Sequence, residues 1–194
     1  MKKLLITGFE AFGGEIINPS WEAVSRLPDV VGEYLLRKLL IPVVFGEAAK
    51  MVIDAAREIN ADAVICIGQA GGRDAITPEL VGINLRYASI PDNCGNQPKD
   101  EPVMKGGENA YFSTLPVREI AKAISELGVP SRVSYSAGAY VCNDVLYSLL
   151  SNYKDTDVKV GFIHIPYSPE QNKQPSMDID TVTKALVAAI ENID

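Results

Sequence analysis

Five short runs rich in Val, Ile and Leu, at residues 3–7, 34–44, 63–68, 132–136 and 158–164, restrict this chain more than any other feature. Their apolar character is mostly continuous rather than alternating, which suits strands buried on both faces. Between them lie segments with helical spacing at 19–27, 46–60, 116–127, 140–153 and 179–192. Asn18 followed by Pro19 forms a helix start, because Asn caps free N–H groups and Pro at the first helical position lacks one. Strands alternating with helices imply parallel βαβ units with right-handed crossovers. The expected fold is therefore α/β: a single-domain three-layer α/β/α sandwich with a mostly parallel twisted central sheet. No repeat, low-complexity tract or linker divides the chain, so residues 1–194 are expected to form one domain. At 194 residues with 47% apolar composition, it can bury a substantial core. The stretch 90–109, rich in Pro, Gly and Asn, is expected to be the one long irregular loop.

Several function classes fall away. The formal charge of −7, with no block of Lys and Arg, leaves no footprint for nucleic acid. The apolar run Leu4 to Ile6 ends at Thr7 and Gly8, too short for a secretory leader or a membrane span. Three cysteines, Cys66, Cys94 and Cys142, are too few for a disulfide framework and lack metal-ligand spacing. A reducing, cytoplasmic setting without a metal is expected. The turn Gly8 to Glu15 imitates phosphate-loop glycine spacing, but Gly14 and Glu15 stand where Lys and Ser/Thr would hold phosphate and magnesium. Residues 68–73 do not match the dinucleotide-binding glycine pattern.

In parallel sheets ligands bind beyond the carboxyl ends of the strands, which directs attention to residues 8–14, 69–73, 138–143 and 164–167. Cys142 follows the small residues Ser136, Ala137 and Gly138 where a helix is expected to begin. Unpaired N–H groups at a helix start favour thiolate by roughly 0.3–1 kcal/mol at exposed sites, and they are placed to bind an oxyanion. One well-placed oxyanion donor is worth roughly 2.7–4 kcal/mol in a transition state, so donor geometry outweighs thiol acidity. Cys66 lies inside an apolar strand and reads as core, while Cys94 lies in a turn-forming loop among acidic neighbours. His164 is the only histidine, so any Cys–His chemistry must use it. It would take the thiol proton and return it to a leaving amine, with a carboxylate holding its other nitrogen. Glu79, in the apolar setting Ile76 to Val81, suits that task, although spacing leaves Asp74 and Asp144 open.

Four blocks give the chain a resemblance to the pyroglutamyl peptidase I family of cysteine peptidases: Thr7 to Gly13 with Asn18-Pro19-Ser20, Gly68 to Asn84, Ser136 to Asn143, and His164 to Tyr167. The resemblance implies a Glu79, Cys142, His164 triad that releases N-terminal pyroglutamyl residues from peptides through a thioester, with no cofactor. It further implies that Phe9, Phe12 and Val141 wall the lactam ring, that Gln69 and Asn18 meet its polar edge, and that four copies assemble as a homo-tetramer. An apolar stretch between Ile90 and Leu115 offers a surface for such assembly. Two positions depart from the family pattern: Leu80 stands in place of a usual basic residue, and Ser89 in place of a usual arginine. Arg86, three residues away, is expected to face the opposite side and not to substitute for it. Two other readings use the same residues: a redox-sensing or small-molecule-binding domain with an oxidisable Cys142, and a weakened relative that binds pyroglutamyl peptides without turnover.

Overall fold

The structure is a computed structural model and describes residues 1–193. Four parallel strands form its centre: β1 (Lys2–Phe9), β3 (Tyr34–Ile41), β4 (Ala63–Gln69) and β8 (Lys159–Ile165). Two short antiparallel strands, β2 (Val30–Val31) and β5 (Thr77–Pro78), flank them in the order β2-β3-β1-β4-β8-β5. Successive side chains point to opposite faces, so each strand supplies two apolar sets. Leu4, Ile6, Ile65, Ile67, Ile163 and Ile165 pack with helices α1 (Pro19–Ser25), α3 (Val117–Glu126) and α5 (Ile179–Ile190). Leu5, Val64, Cys66, Val160 and Phe162 face α2 (Glu47–Ile59) and α4 (Val141–Tyr153). Because both faces are covered, β1, β4 and β8 lack polar alternation, while β3, next to the edge, leaves Leu35, Arg37 and Leu40 exposed; the α/β/α layering read from the sequence follows. All five expected helices form within two residues of their expected bounds.

The expected strand at 132–136 is the main departure. This segment is extended and runs beside 76–80, with the N–H of Ser134 donating to the Pro78 carbonyl at 2.9 Å and that of Leu80 donating to the Ser134 carbonyl at 2.8 Å. It makes isolated bridges rather than a full ladder. Pro78 has no N–H to offer and β5 is only two residues long, so pairing cannot propagate. A separate hairpin, β6 (Val81–Ile83) with β7 (Ala110–Phe112), was not foreseen. Its short strands fall below the length at which periodicity is readable.

The irregular loop at 90–109 is tied down by one buried carboxylate. Asp92 accepts from the N–H groups of Phe45, Cys94 and Asn96 and from the Asn96 amide, at 2.8–3.0 Å. At the start of α4, the buried Asn143 side chain accepts from the N–H of Ile83 and donates to the carbonyls of Ile83 and Leu85, each at 2.9 Å. This clamp fixes the helix that carries Cys142. Close packing of α1 on β1 depends on Gly8, where a Cβ would lie 2.6 Å from the Trp21 Cα. Among the described residues no helix is long and apolar enough to cross a membrane.

Candidate active site

The sheet itself brings a histidine and a carboxylate together. His164 on β8 is paired with Gly68 on β4 and with Thr77 on β5. Glu79, two residues past Thr77, lies on the same face and diagonal to His164, a spacing that long side chains can bridge. Its Oε1 is 2.7 Å from the Nδ1 of His164, and both side chains are buried. Asp74 and Asp144, left open by spacing, are engaged elsewhere. Asp74 is exposed and accepts from Arg132 at 2.6 Å, whereas the buried Asp144 accepts from Arg86 at 2.6 Å and from the Gly46 N–H at 2.7 Å. Arg86 thus has its own partner in Asp144; it lies in an isolated bridge with Glu101 and not in a strand, so its engagement by Asp144, not an alternation of faces, keeps it from substituting at Ser89.

Arg73 was missed in the sequence. Its guanidinium donates to Glu79 Oε1 and to the Thr77 hydroxyl, both at 2.6 Å, and to the Ser136 carbonyl at 3.0 Å. One side chain therefore ties the carboxylate to the loop that leads into Cys142, so neither Leu80 nor Ser89 has to hold the acid. The only available signal was its place directly after Gly71 and Gly72, a turn in which a cation looks solvated.

Cys142 is the second residue of α4, after an N-cap at Tyr140 that makes no side-chain cap. The first N–H groups of a helix have no intrahelical partner, so this end offers donors beside the thiol. Gly68 makes room for the sulfur: a Cβ there would lie 3.1 Å from Sγ and 2.7 Å from the Phe162 ring. The absence of a side chain opposite His164 thus admits the thiol to the histidine's face of the sheet.

These groups line one cavity of about 350 Å³. Phe9, Phe12, Asn18, Gln69, Val141, Cys142 and His164 all border it, together with Arg73 and Tyr140, while Glu79 stands behind His164. Phe9 packs on Phe162 and Phe12 on Tyr140, each with ring centroids 6.2 Å apart. Asn18 caps α1 with its Oδ1, which accepts from the Ser20 N–H at 3.1 Å, while its Nδ2 donates to the Glu10 carbonyl at 2.9 Å. Cys66 is fully buried, and burial pushes its thiol up to about 12, in keeping with a core role. Cys94 is exposed in the loop.

The electrostatics revise one expectation. Burial would raise Glu79, but His164 first, then the Ser134 hydroxyl and the charge of Arg73, outweigh it and hold the carboxyl below the usual range. An ionised carboxylate only accepts, so His164 must donate from Nδ1, which leaves Nε2 with its lone pair. Burial lowers the His164 pKa against the opposing pull of Glu79. The Cys142 thiol keeps some surface toward the cavity but is otherwise packed in protein; burial first, then the Glu79 charge, pushes it up to about 12. The helix-start effect of about 0.3–1 kcal/mol is too small to reverse this. The resting pair is therefore neutral thiol and neutral imidazole.

The sequence pattern of the pyroglutamyl peptidase family matches residues 2–194. The chain belongs to the pyroglutamyl peptidase family. Within it, the chain is 48% identical to the pyrrolidone-carboxylate peptidase of Thermosipho africanus, over 98% of this chain and 96% of that one. It is 50% identical to the corresponding protein of Escherichia fergusonii, over 98% and 92%. The crystal structure of Bacillus amyloliquefaciens pyroglutamyl peptidase I superposes with a TM-score of 0.96 at 45% identity, covering 100% of this chain and 97% of that one. The Thermococcus litoralis pyrrolidone carboxyl peptidase gives 0.95 at 37% identity, covering 100% and 93%.

A neutral resting thiol has a direct chemical consequence. Alkylation of Cys142 by iodoacetamide, followed by peptide mapping to separate it from Cys94, is expected to accelerate continuously from pH 6 to pH 9. A rate already at its plateau at neutral pH would show a preformed thiolate and contradict the neutral pair.

Proposed function

We propose that this member of the family hydrolyses the bond after an N-terminal pyroglutamyl residue, with Cys142 as nucleophile, His164 as general base and acid, and Glu79 as the group that orients His164. The single observation that carries this reading is the Glu79–His164 hydrogen bond of 2.7 Å, behind a cavity that Cys142 also borders. A redox sensor or a simple binding module would need no such pair.

The first step forms a bond between Sγ and the pyroglutamyl carbonyl carbon as the thiol proton passes to Nε2 of His164. Because the resting thiol is neutral, proton transfer and attack go together, and Glu79 stabilises the imidazolium as it forms. Free N–H groups at the start of α4 stabilise the oxyanion. Collapse breaks the C–N bond, and Nε2 returns the proton to the leaving amine. Water, deprotonated by the same nitrogen, then attacks the thioester and releases pyroglutamate with the thiol restored.

The cavity suits a flat, small, uncharged ring. Phe9, Phe12 and Val141 supply apolar walls, while Gln69 and Asn18 supply polar contacts. Both ends of Asn18 already have partners, and the second N–H of its Nδ2 remains for a ligand. A site built on such buried contacts rejects substrates that lack the matching group by roughly 10⁴–10⁵ in favourable cases.

Assembly as a homo-tetramer in the cytoplasm extends this reading. The exposed Ile90, Met104 and Phe112 at and beside the irregular loop support an interface, and three unpaired cysteines suit a reducing compartment. Light scattering is expected to give four times the 21.0 kDa chain mass, and fractionation to place the protein with cytoplasmic markers; a single-chain mass or a secreted protein would count against each.

Release of a fluorescent amine from pyroglutamyl and prolyl amides tests the reaction itself. Wild type is expected to turn over the pyroglutamyl amide alone. Cys142→Ala should abolish turnover, and His164→Ala should lower it by about 10²–10⁴-fold. A reduced, folded wild type that released nothing would sink the peptidase reading.

A further inference from the structure

Gln69 closes β4 at the cavity, and its Oε1 accepts from the Nε2 of Gln171 at 2.8 Å. Gln171 lies in the one-turn 3₁₀ helix Pro169–Gln171 beyond β8 and is only 9% exposed. A carboxamide can be turned over unless its partners distinguish its two ends. Here they do so twice. Gln171 Oε1 accepts from the backbone N–H of Ser168 at 3.1 Å, and that group can only donate. Gln171 Nε2 also donates to Glu15 Oε2 at 3.3 Å, and an ionised carboxylate can only accept. Lys173 bonds the other oxygen of Glu15 and, with Gln171, holds that carboxyl below its usual range.

With both ends of Gln171 assigned, it must offer an N–H to Gln69, and Gln69 must answer with its carbonyl oxygen. The end of Gln69 that remains for a ligand is its NH₂. We infer that Gln171 is a specificity-positioning residue, which makes Gln69 an obligate donor to the ring carbonyl of a pyroglutamyl group. That carbonyl is what distinguishes this ring from a prolyl ring. Turning Gln69 over would oppose two acceptors across the site and break its bond to Gln171. This inference rests on the reading of Gln69 as a substrate contact, and extends it to a residue outside the cavity lining.

The test is the inhibition constant of the free lactam 2-pyrrolidone, with kcat and KM for the pyroglutamyl amide, in wild type, Gln171→Glu, Gln171→Met and Gln69→Ala. A carboxylate at 171 still accepts from Ser168 but now asks Gln69 for a donor, which turns the Gln69 carbonyl into the cavity. Gln171→Glu is expected to raise the inhibition constant and KM by roughly 10–100-fold, the cost of an unpaired polar group, with the loss in KM rather than kcat. Gln171→Met fills similar space without instructing Gln69, so its effect should be smaller than that of Glu. Gln171→Glu also sets two carboxylates against each other at Glu15, so it is measured again with Glu15→Gln, which removes that repulsion. A purely structural role would then restore lactam affinity or place the loss in kcat, and either result overturns the inference. Gln171→Met alone keeps the test decisive if the Glu variant does not fold: lactam affinity equal to wild type would refute the positioning role. Gln69→Ala separates the two layers. If it leaves lactam affinity unchanged, the reading of Gln69 itself fails; if it weakens binding while the Gln171 variants do not, only the role of Gln171 fails.

Discussion

A buried carboxylate is expensive unless it is paired, and the site is arranged around one such group. Glu79 is fully buried, and its Oε1 meets both His164 Nδ1 and Arg73 Nη1. From that shared oxygen the other properties follow. The carboxylate stays ionised, so His164 keeps its proton on Nδ1 and turns a basic nitrogen away from Glu79. Arg73 reaches onward to the Ser136 carbonyl, which links the carboxylate to the approach to Cys142. Removing either partner would leave the charge short of a donor in a place water cannot reach.

The sheet supplies the precision this arrangement needs. His164 sits in a ladder between β4 and β5, and Glu79 hydrogen-bonds through its own N–H to the Phe162 carbonyl at 2.9 Å. Backbone pairing thus sets the distance between acid and base before their side chains meet. Gly68 leaves space for the sulfur on the same face, and the Asn143 clamp holds the helix that brings it there. Apolar packing on both faces supports this frame, while a polar chain from Glu15 through Gln171 ends on Gln69 at the cavity wall.

Much of this was legible in the sequence because the signals were local or unique. Continuous apolar runs marked the four parallel strands, Asn18-Pro19 marked a helix start, and a single histidine left no choice of imidazole. What escaped was set by tertiary contacts. Arg73 and Gln171 look like solvated loop residues until the fold places a carboxylate and a carboxamide beside them. The segment at 132–136 lacks a full ladder because its neighbour contains Pro78, a constraint invisible to periodicity. Thiol acidity was read from the helix start alone, whereas packing around Cys142 governs it and pushes it the other way.

One measurement reaches the central claim directly, since the chain holds a single histidine. Nitrogen-15 NMR of the imidazole ring reports its protonation state and tautomer together. The account predicts, at neutral pH, a neutral ring with the proton on Nδ1, titrating only below the ordinary histidine value of 6.5 because burial lowers its pKa. In that range acid also weakens the fold, since the unfolded histidine takes up its proton before the folded one. An imidazolium at pH 7, or a neutral ring with its proton on Nε2, would contradict the account.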